Sequence, residues 1–310
     1  MSAASGLPVY GGIEAGGTKF LCAVGTAGGR VLDEVRIPTT SPAETLERVM
    51  EYFHRQMEKV GRLASIGIAS FGPLDPRRDS PSFGHILATP KPGWAQTDMV
   101  GPFQKEFQVP IGFDTDVNGA ALGEWTWGAG QGLETFIYLT IGTGIGGGGC
   151  YNGRLMHGLL HPEMGHIPLP HDREADPFDG VCPFHGDCFE GLATGPAIEK
   201  RWGQKAETLP PEHPAWELEA HYIALALHVY ICSLSPARII LGGGVMQQPH
   251  LLPMIHEKTL AALNGYIQLP QILDGIADYI VAPGLGGKSG LIGALALAEQ
   301  AAAMSEGSGV

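Results

Sequence analysis

Residues 10–24 read "YGGIEAGGTKFLCAV", two apolar runs joined by a short turn rich in glycine. The apolar runs predict the two strands of a hairpin, and glycine lets the turn adopt backbone angles that other residues avoid. Residues 135–154 read "TFIYLTIGTGIGGGGCYNGR", with the same order of strand, glycine turn and strand. The two stretches share no repeated sequence, so the similarity is architectural. We therefore predict two lobes, each built on a sheet with a glycine turn.

Length, charge and cysteine content restrict the class of protein. The chain has 310 residues, more than one hydrophobic core usually supports, and a formal net charge of −13. This charge argues against nucleic acid and anionic membrane as partners, but backbone N–H groups can still bind phosphate. No apolar run is long enough to span a membrane, and the first residues do not resemble a signal peptide. Five cysteines without framework spacing complete the case for a cytoplasmic protein.

A helix is predicted to follow the first hairpin. Ser41 is its expected N-cap, Pro42 its first helical residue and Glu44 the acid of a capping box. Buried strands are predicted within residues 65–75, ending in a turn at Gly72, and within residues 110–117. The core-facing residues of the helix, at helical spacing, are predicted to be Leu46, Val49, Met50, Phe53 and Met57.

Three glycine turns follow apolar strands, at residues 14–19, 141–149 and 241–246. Glycine allows backbone N–H groups to approach a ligand closely, and several converging turns would form a nest for a polyphosphate. The alternative for any single turn is an ordinary hairpin. Three such turns, two of them in hairpins of separate lobes, favour ligand binding.

Two better-known phosphate motifs fit less well. Gly142, Gly144 and Gly147 match G-x-G-x-x-G, but that fingerprint opens a helix, whereas this sequence continues as a strand. Residues 282–289, "APGLGGKS", resemble a P-loop with Ala282 in place of its first glycine. We therefore predict neither a dinucleotide fingerprint nor a P-loop.

A cysteine–histidine segment interrupts the long irregular region after residue 160. Cys182, His185 and Cys188 are evenly spaced in "CPFHGDC", a loop spacing that suits zinc, whose closed structural sites have four ligands. A redox pair would need C-x-x-C, which is absent. Zinc is therefore favoured over a redox pair or a metal-free loop. The remaining cysteines lie in apolar runs and are predicted to be buried thiols: Cys22, Cys150 and Cys232.

Five motifs together resemble a known family. They are "GGIEAGGTKF", "DTDVNGAALGEW", "TIGTGIGGG", "HPEMGH" and "CPFHGDCFEGLATGPAIE", in family order across nearly the whole chain. This combination resembles the ROK family (repressors, open reading frames and kinases), and within it the bacterial fructokinases. The first phosphate turn begins at Glu14, close to Met1. That position favours the kinase branch, because the family's repressors carry an additional N-terminal DNA-binding segment.

The resemblance implies an actin-like (ribonuclease H-like) two-lobed ATPase fold of class α/β. Each lobe would hold a mixed β-sheet flanked by helices, with a cleft between the lobes and a zinc-bound loop. Residues 1–117 with 288–310 would form the N-terminal lobe, with the first phosphate loop and the catalytic aspartate. Residues 118–287 would form the C-terminal lobe, with the second phosphate loop, the zinc site and a nucleotide-binding turn. A homodimer is also implied.

The implied activity is ATP-dependent phosphorylation of a hexose, with D-fructose converted to fructose 6-phosphate as the expected reaction. The resemblance assigns Asp116 as the general base that accepts the hydroxyl proton. Asp before a helix also acts as an N-cap, which is the structural alternative for this residue. A kinase for glucose, mannose or another hexose, and a catalytically weak sugar sensor, remain alternative functions.

The residues implied to bind the sugar include carboxylates, which accept strong hydrogen bonds from hydroxyl groups. Thr115 stands where glucose-phosphorylating relatives usually have Asn, a departure that fits fructokinases and leaves the sugar open. Three further histidines have no motif support and are interpreted as ordinary loop residues: His157, His161 and His171. The implied sugar-binding set is Gly72, Thr115, Glu163, His166 and Glu190.

ATP with Mg²⁺ and structural Zn²⁺ are the implied cofactors. Glu14 replaces the family's Asp, so a direct bond from Glu14 to Mg²⁺ stays open. The resemblance supplies His166 as the fourth zinc ligand beside Cys182, His185 and Cys188. The implied nucleotide-binding residues are Glu14, Gly16, Gly17, Thr18, Lys19, Gly142, Thr143, Gly144, Pro196, Gly243 and Gly244.

Overall fold

Two five-stranded sheets organise residues 7–307, the part of the chain that the computed structural model describes. The first sheet contains β1 (Val9–Ala15), β2 (Lys19–Thr26), β3 (Arg30–Pro38), β4 (Ser65–Ser70) and β5 (Ile111–Thr115). The second contains β6 (Phe136–Ile141), β7 (Ile145–Tyr151), β8 (Arg154–Leu155), β9 (Ile239–Gly242) and β10 (Ile280–Val281). The helices are α1 (Pro42–Val60), α2 (Gly101–Phe107), α3 (Asp116–Trp127), α4 (Phe189–Leu192), α5 (Gly195–Trp202), α6 (Ala215–Leu234), α7 (Leu251–Leu263), α8 (Pro270–Leu273), α9 (Ile276–Tyr279) and α10 (Ser289–Gly307).

The first sheet has the order β3-β2-β1-β4-β5 and is mixed. Antiparallel pairing joins β1 to β2 and β2 to β3, whereas β1, β4 and β5 run parallel. In this register Ala15 pairs with Ser70, and Ser70 pairs with Thr115. The carboxyl ends of β1, β4 and β5 therefore meet at one edge, which brings the first glycine turn, the Gly72 turn and Asp116 to the same edge. Ligands of open α/β sheets commonly bind at such an edge.

The second sheet has the order β10-β9-β6-β7-β8. It is also mixed, because β6 and β7 pair antiparallel while β6, β9 and β10 run parallel. Thr140 pairs with Gly242, so β6 and β9 end at the same edge. The second and third predicted glycine turns follow these two strand ends. The structure therefore has two mixed sheets flanked by helices, which confirms the predicted architecture.

Helix α1 confirms its predicted N-cap and first residue, whereas the side chain of Glu44, predicted as a capping-box acid, accepts from Thr40 Oγ1 and from Arg48. Ser41 Oγ accepts a hydrogen bond from Glu44 N at 3.4 Å, Pro42 begins the helix, and Gly61 ends it with a φ of 83°. Because these caps use only neighbouring residues, they can be recognised from sequence. The predicted inward face is also confirmed: Leu46, Val49 and Phe53 are buried, and Met50 and Met57 pack against the same core while partly buried.

Helix α10 packs closely on the first sheet and on α3. A Cβ atom on Gly67 or Gly112 would overlap the carbonyl oxygens of Ala294 and Leu297, respectively. Glycine at these strand positions therefore allows the helix backbone to approach the sheet. No helix within residues 7–307 has both the length and the apolar character needed to cross a membrane.

The described residues pack as two units. One comprises residues 7–131, 155–161 and 288–307, and the other residues 132–154 and 162–287. The expected lobe boundary after residue 117 differs from this division, because it falls inside α3. That helix packs against α10 of the first unit: a Cβ on Gly123 would lie 2.7 Å from the carbonyl oxygen of Ser289.

Candidate active site and metal centre

The first glycine turn joins β1 to β2 within the first unit. Gly16 N donates a hydrogen bond to Lys19 O at 3.0 Å, and Thr39 Oγ1 donates to Gly16 O at 2.7 Å. Thr18 is exposed, and a Cβ atom placed on Gly17 would meet nothing within 4 Å. The turn is thus closed by its own backbone and by Thr39, while the tip leaves space for a ligand group.

Glu14 lies on β1, and its side chain packs against the first turn of α10. A Cβ atom on Gly290 would overlap Oε1 of Glu14 and lie 2.6 Å from its Cδ. Oε2 of Glu14 is buried and has no hydrogen-bond partner among the described residues. Burial raises the pKa of Glu14, an effect that nearby Lys19 partly offsets. A bound cation would stabilise such a carboxylate, so its environment fits a site for Mg²⁺ or its water ligands.

Asp116 begins α3 directly after β5, and Thr115 is the N-cap. Thr115 is buried, and its Oγ1 accepts a hydrogen bond from Asn118 N at 3.0 Å. Asp116 is partly exposed, and its Oδ1 accepts from Val117 N at 2.9 Å. The capping role considered for Asp116 therefore belongs to Thr115. The Thr115 hydroxyl, which was expected to bind sugar, is used in that cap.

The turn at Gly72 follows β4. Phe71 N donates a hydrogen bond to Ala15 O at 2.8 Å, and the peptide between Gly72 and Pro73 is cis. The hydrogen bond from Phe71 to Ala15 holds the start of the Gly72 turn beside the end of β1. Within the first unit, the structure thus gathers Gly72, the first phosphate turn and Asp116, as their positions at the strand ends require.

The glycine turns of the second unit also converge. Gly142 N donates to Gly144 O at 2.9 Å, and Gly195 N donates to Gly142 O at 2.8 Å. A Cβ atom on Gly142 would lie 3.5 Å from Gly244 N, and Gly243 has a φ of 96°, which favours glycine. Backbone from the turns after β6 and β9 and from the start of α5 therefore lies together.

Side chains at this convergence are exposed. Thr143 is exposed at the tip of the turn between β6 and β7, and Pro196 is exposed in the first turn of α5. Thr194 caps α5, since its Oγ1 accepts from Ala197 N at 3.3 Å. The stretch with the rejected dinucleotide fingerprint continues as strand β7, so that rejection is confirmed.

Glu190 lies against the second glycine turn and near His166. Its Oε2 accepts a hydrogen bond from Ile145 N at 3.0 Å, and its Oε1 lies 3.9 Å from His166 Nε2. Glu163 is exposed, and its carbonyl oxygen accepts from His166 N at 3.0 Å. Three of the expected sugar-binding residues, Glu163, His166 and Glu190, are therefore close together in the second unit.

His166, Cys182, His185 and Cys188 form a cluster whose four ligand atoms lie within 4.8 Å of one another. Cys182 Sγ lies 3.7 Å from Nδ1 of both His166 and His185, and Cys188 Sγ lies 3.6 Å from His166 Nδ1. Tetrahedral zinc, with Zn–S near 2.3 Å and Zn–N near 2.0–2.1 Å, separates neighbouring S and N ligands by about 3.6 Å. Donor set and spacing therefore fit a four-ligand zinc site.

A buried polar network anchors the loop before the cluster. His171 Nδ1 lies 3.0 Å from Asp187 Oδ2, and Tyr222 Oη donates to Asp176 Oδ2 at 2.6 Å. Arg201 Nε donates to Asp176 Oδ1 at 3.2 Å. The interpretation of His171 as an ordinary loop residue missed this role, because the sequence pattern does not show which aspartates its ring contacts.

The remaining cysteines follow the sequence expectation in two of three cases. Cys22 and Cys150 are buried, as predicted. The prediction for Cys232 was wrong, because this residue is exposed near the end of α6. The adjacent Ile231 is buried, so Cys232 lies on the other face of the helix despite its apolar neighbours in sequence.

Comparison with solved structures supports the predicted fold class. The ROK hexokinase from Thermus thermophilus is 28% identical, covers 94% of this chain and 98% of its own, and superposes with a TM-score of 0.76. A ROK family glucokinase from Streptomyces griseus, in complex with glucose and AMPPNP, is 25% identical, with coverage of 95% and 100% and a TM-score of 0.77. The actin-like fold is therefore confirmed.

Comparison with protein sequences is equally extensive. A Bacillus subtilis protein is 50% identical over 97% of this chain and 99% of its own length. The fructokinase of Zymomonas mobilis is 46% identical over 94% of this chain and 96% of its own length. A glucokinase of Halalkalibacterium halodurans is 26% identical over 92% of this chain and 93% of its own length. The ROK family model matches residues 10–301. The chain belongs to the ROK family.

Proposed function

We propose that this protein is an ATP-dependent hexose kinase that converts D-fructose to fructose 6-phosphate. The observation that carries the proposal is the 46% identity to the Zymomonas mobilis fructokinase over nearly the full length of both chains. The glucokinase relative is much less similar, at 26%. The converging glycine turns of the second unit support nucleotide binding in the same protein.

Asp116 is the proposed general base. Phosphoryl transfer needs little covalent chemistry from the protein, but the attacking hydroxyl must be oriented and must lose its proton. Asp116 is partly exposed at the carboxyl end of β5, and the cap of α3 is provided by Thr115. This arrangement supports the proposal, because a proton accepted by the Asp116 carboxylate would leave the cap of α3 intact.

ATP and Mg²⁺ are assigned to the glycine turns and to Glu14. Residues 16–19 form the first turn, with Lys19 beside Glu14, and the second-unit turns contribute Gly142, Thr143, Gly144, Pro196, Gly243 and Gly244. Few basic side chains belong to this set, so backbone N–H groups and the metal ion neutralise the phosphate charge. The buried, unbonded Oε2 of Glu14 supports a role near the metal.

The hexose is assigned to Gly72, Glu163, His166 and Glu190, with Thr115 as a residue that shapes the site through its helix cap. Carboxylates accept hydrogen bonds from sugar hydroxyls, and imidazole can donate or accept. Zinc held by His166, Cys182, His185 and Cys188 would fix the ring of His166 and the start of α4, which carries Glu190. A cytoplasmic homodimer completes the proposal, and size-exclusion chromatography with light scattering tests its oligomeric state.

Product analysis tests the proposed reaction. The protein is incubated with MgATP and D-fructose, and the sugar phosphate is identified by phosphorus and proton NMR. Fructose 6-phosphate and ADP in equal amounts are expected. Phosphorylation of glucose or mannose alone would favour another hexose kinase, and fructose binding without ADP release would favour a sugar sensor.

A further inference from the structure

Residues 155–161, "LMHGLLH", pack with the first unit although the residues on both sides belong to the second. The segment leaves β8 at Leu155 and continues directly into Pro162 and Glu163. It contains His157 and His161, four residues apart. Neither histidine has a role in the proposed function as stated above.

His157 binds the buried carboxylate of Asp114 on β5. Its Nε2 lies 2.8 Å from Asp114 Oδ2, and because a carboxylate only accepts, Nε2 carries the proton. Oδ1 of Asp114 accepts from Thr115 N at 2.8 Å and from Asn118 Nδ2 at 3.0 Å. The hydrogen bond between His157 and Asp114 raises the pKa of His157, while burial opposes the increase. Asp114 therefore connects His157 to both ends of the Thr115–Asn118 turn.

The residues joined by these hydrogen bonds, Asp114, Thr115 and Asn118, flank Asp116 at the start of α3. Asn118 Nδ2 also donates to Met156 O at 3.2 Å, so the segment contacts the start of α3 through backbone as well as through His157. Asp114 is 3% exposed, and loss of a donor to a buried carboxylate is unfavourable. A change at His157 is therefore transmitted to the turn that orients Asp116.

His161 binds the turn that follows β4. Leu74 N donates a hydrogen bond to His161 Nε2 at 3.1 Å, so this nitrogen is unprotonated. A Cβ atom on Gly72 would lie 3.4 Å from the same Nε2. The ring thus lies against Gly72 while holding the backbone two residues later.

We infer that His157 and His161 are positioning residues for the proposed phosphoryl transfer: His157 fixes the end of β5 that carries Asp116, and His161 fixes the turn that carries Gly72. This inference rests on the proposed function and extends it to two histidines to which that function gives no role. Catalysis of this kind depends on placement, and a displacement of about 1 Å can lower a rate about 100-fold.

His157 is tested by substitution with leucine and with glutamine. H157L removes the donor to Asp114, and we expect kcat to fall about tenfold or more, with the hexose KM changing less than about twofold. H157Q keeps an amide donor and should recover most of kcat. The exposed His54 of α1, which contacts Glu106, is the matched control, and H54A should retain wild-type kinetics.

His161 is tested in the same way, with the opposite kinetic pattern. H161L leaves the Leu74 N–H without its acceptor, and we expect the hexose KM to rise about three- to tenfold, with the ATP KM unchanged. H161Q retains an acceptor oxygen and should restore the hexose KM. All rates are normalised to the folded fraction, measured by thermal unfolding.

The assays use the hexose that the wild-type protein phosphorylates fastest, so an error in the proposed sugar does not affect them. Active wild-type protein with unchanged kinetics in H157L and H161L would overturn the inference and leave the proposed function standing. Lower melting temperatures without any change in kcat or KM would also overturn it, since they indicate a purely structural role. If the wild-type protein releases no ADP with any of the hexoses tested, both this inference and the proposed function are overturned.

Discussion

Nε2 of His166 lies 3.9 Å from Oε1 of Glu190, while Nδ1 of the same ring faces the sulfur atoms of Cys182 and Cys188. One imidazole therefore contacts both the candidate metal cluster and a candidate sugar-binding acid. An ion bound on the Nδ1 side would restrict the ring that faces Glu190. Metal binding and hexose binding should be coupled through this residue.

Zinc removal should weaken hexose binding. A chelator is expected to release one zinc ion per chain, lower the melting temperature and raise the hexose KM, because His166 and the start of α4 lose their common anchor. Metal content by mass spectrometry and initial rates provide the measurements. C182S should reproduce the effect, whereas C232S, at an exposed cysteine outside the cluster, should not. Normal hexose affinity in zinc-free protein would show that the coupling is absent.

Gly290 should tolerate alanine poorly. Glycine to alanine in a helix is normally favourable by about 1 kcal/mol, but a Cβ atom at this position would overlap the Glu14 carboxylate. G290A is expected to lower the melting temperature and raise the KM for MgATP. E14D in the G290A background should recover part of both losses, because the shorter side chain leaves room for the new methyl group.

Gly287 provides the matched control for this prediction. A Cβ atom there would meet nothing within 4 Å, so G287A should leave the melting temperature and the MgATP KM unchanged. If G290A changes the melting temperature and the MgATP KM equally in the wild-type and E14D backgrounds, the contact between residues 14 and 290 does not cause these changes.

Local features of the fold could be predicted from sequence. The N-terminal cap of α1 and its apolar face depend on neighbouring residues, and Ser41 and Pro42 act where the pattern places them. The glycine turns after β1, β6 and β9 were recognisable because glycine follows an apolar run. The cysteine–histidine spacing similarly indicated three members of the cluster, and the family resemblance was needed for His166.

Non-local relationships could not be predicted in this way. The register that aligns Ala15, Ser70 and Thr115 arises from pairing of distant strands, which no short stretch encodes. The small apolar residues of α3 indicate a packed helix, but they do not show that its partner is α10. Thr115 and Asp116 both suit an N-cap, and only the hydrogen bond to Asn118 N distinguishes them.

Asp116 should be essential for turnover. D116N removes the carboxylate that accepts the hydroxyl proton while keeping a similar shape, and we expect kcat to fall about 100-fold or more. The ADP assay with saturating hexose measures the effect. D274N, at an exposed aspartate of the second unit, serves as the control. Turnover close to that of the wild type in D116N would exclude the general-base role.

Glu219 should make the protein less stable as the pH rises. Its carboxylate oxygens are buried without hydrogen-bond partners among the described residues, and burial raises its pKa to about 8, with Arg201 opposing the shift. An unfolded glutamate has a pKa of about 4.3, so between these values the folded state binds the additional proton. The free energy of unfolding therefore decreases from about pH 4.3 to pH 8 through this residue.

The substitution E219Q removes this titration. The melting temperature of E219Q minus that of the wild type should increase from pH 5 to pH 8, because only in the wild type does the folded state keep a proton that the unfolded state releases over this range. E217Q, at the exposed glutamate that pairs with Lys258, should show no such increase. A constant difference between E219Q and the wild type across this range would contradict the assignment.

Values of kcat/KM across a sugar panel test whether this ROK protein is a hexose kinase for fructose. ADP release is measured with MgATP and varied fructose, glucose and mannose on the zinc-loaded protein. We expect kcat/KM for fructose to exceed that for glucose by about tenfold or more. An equal or higher value for glucose, or no ADP release with fructose, would contradict it.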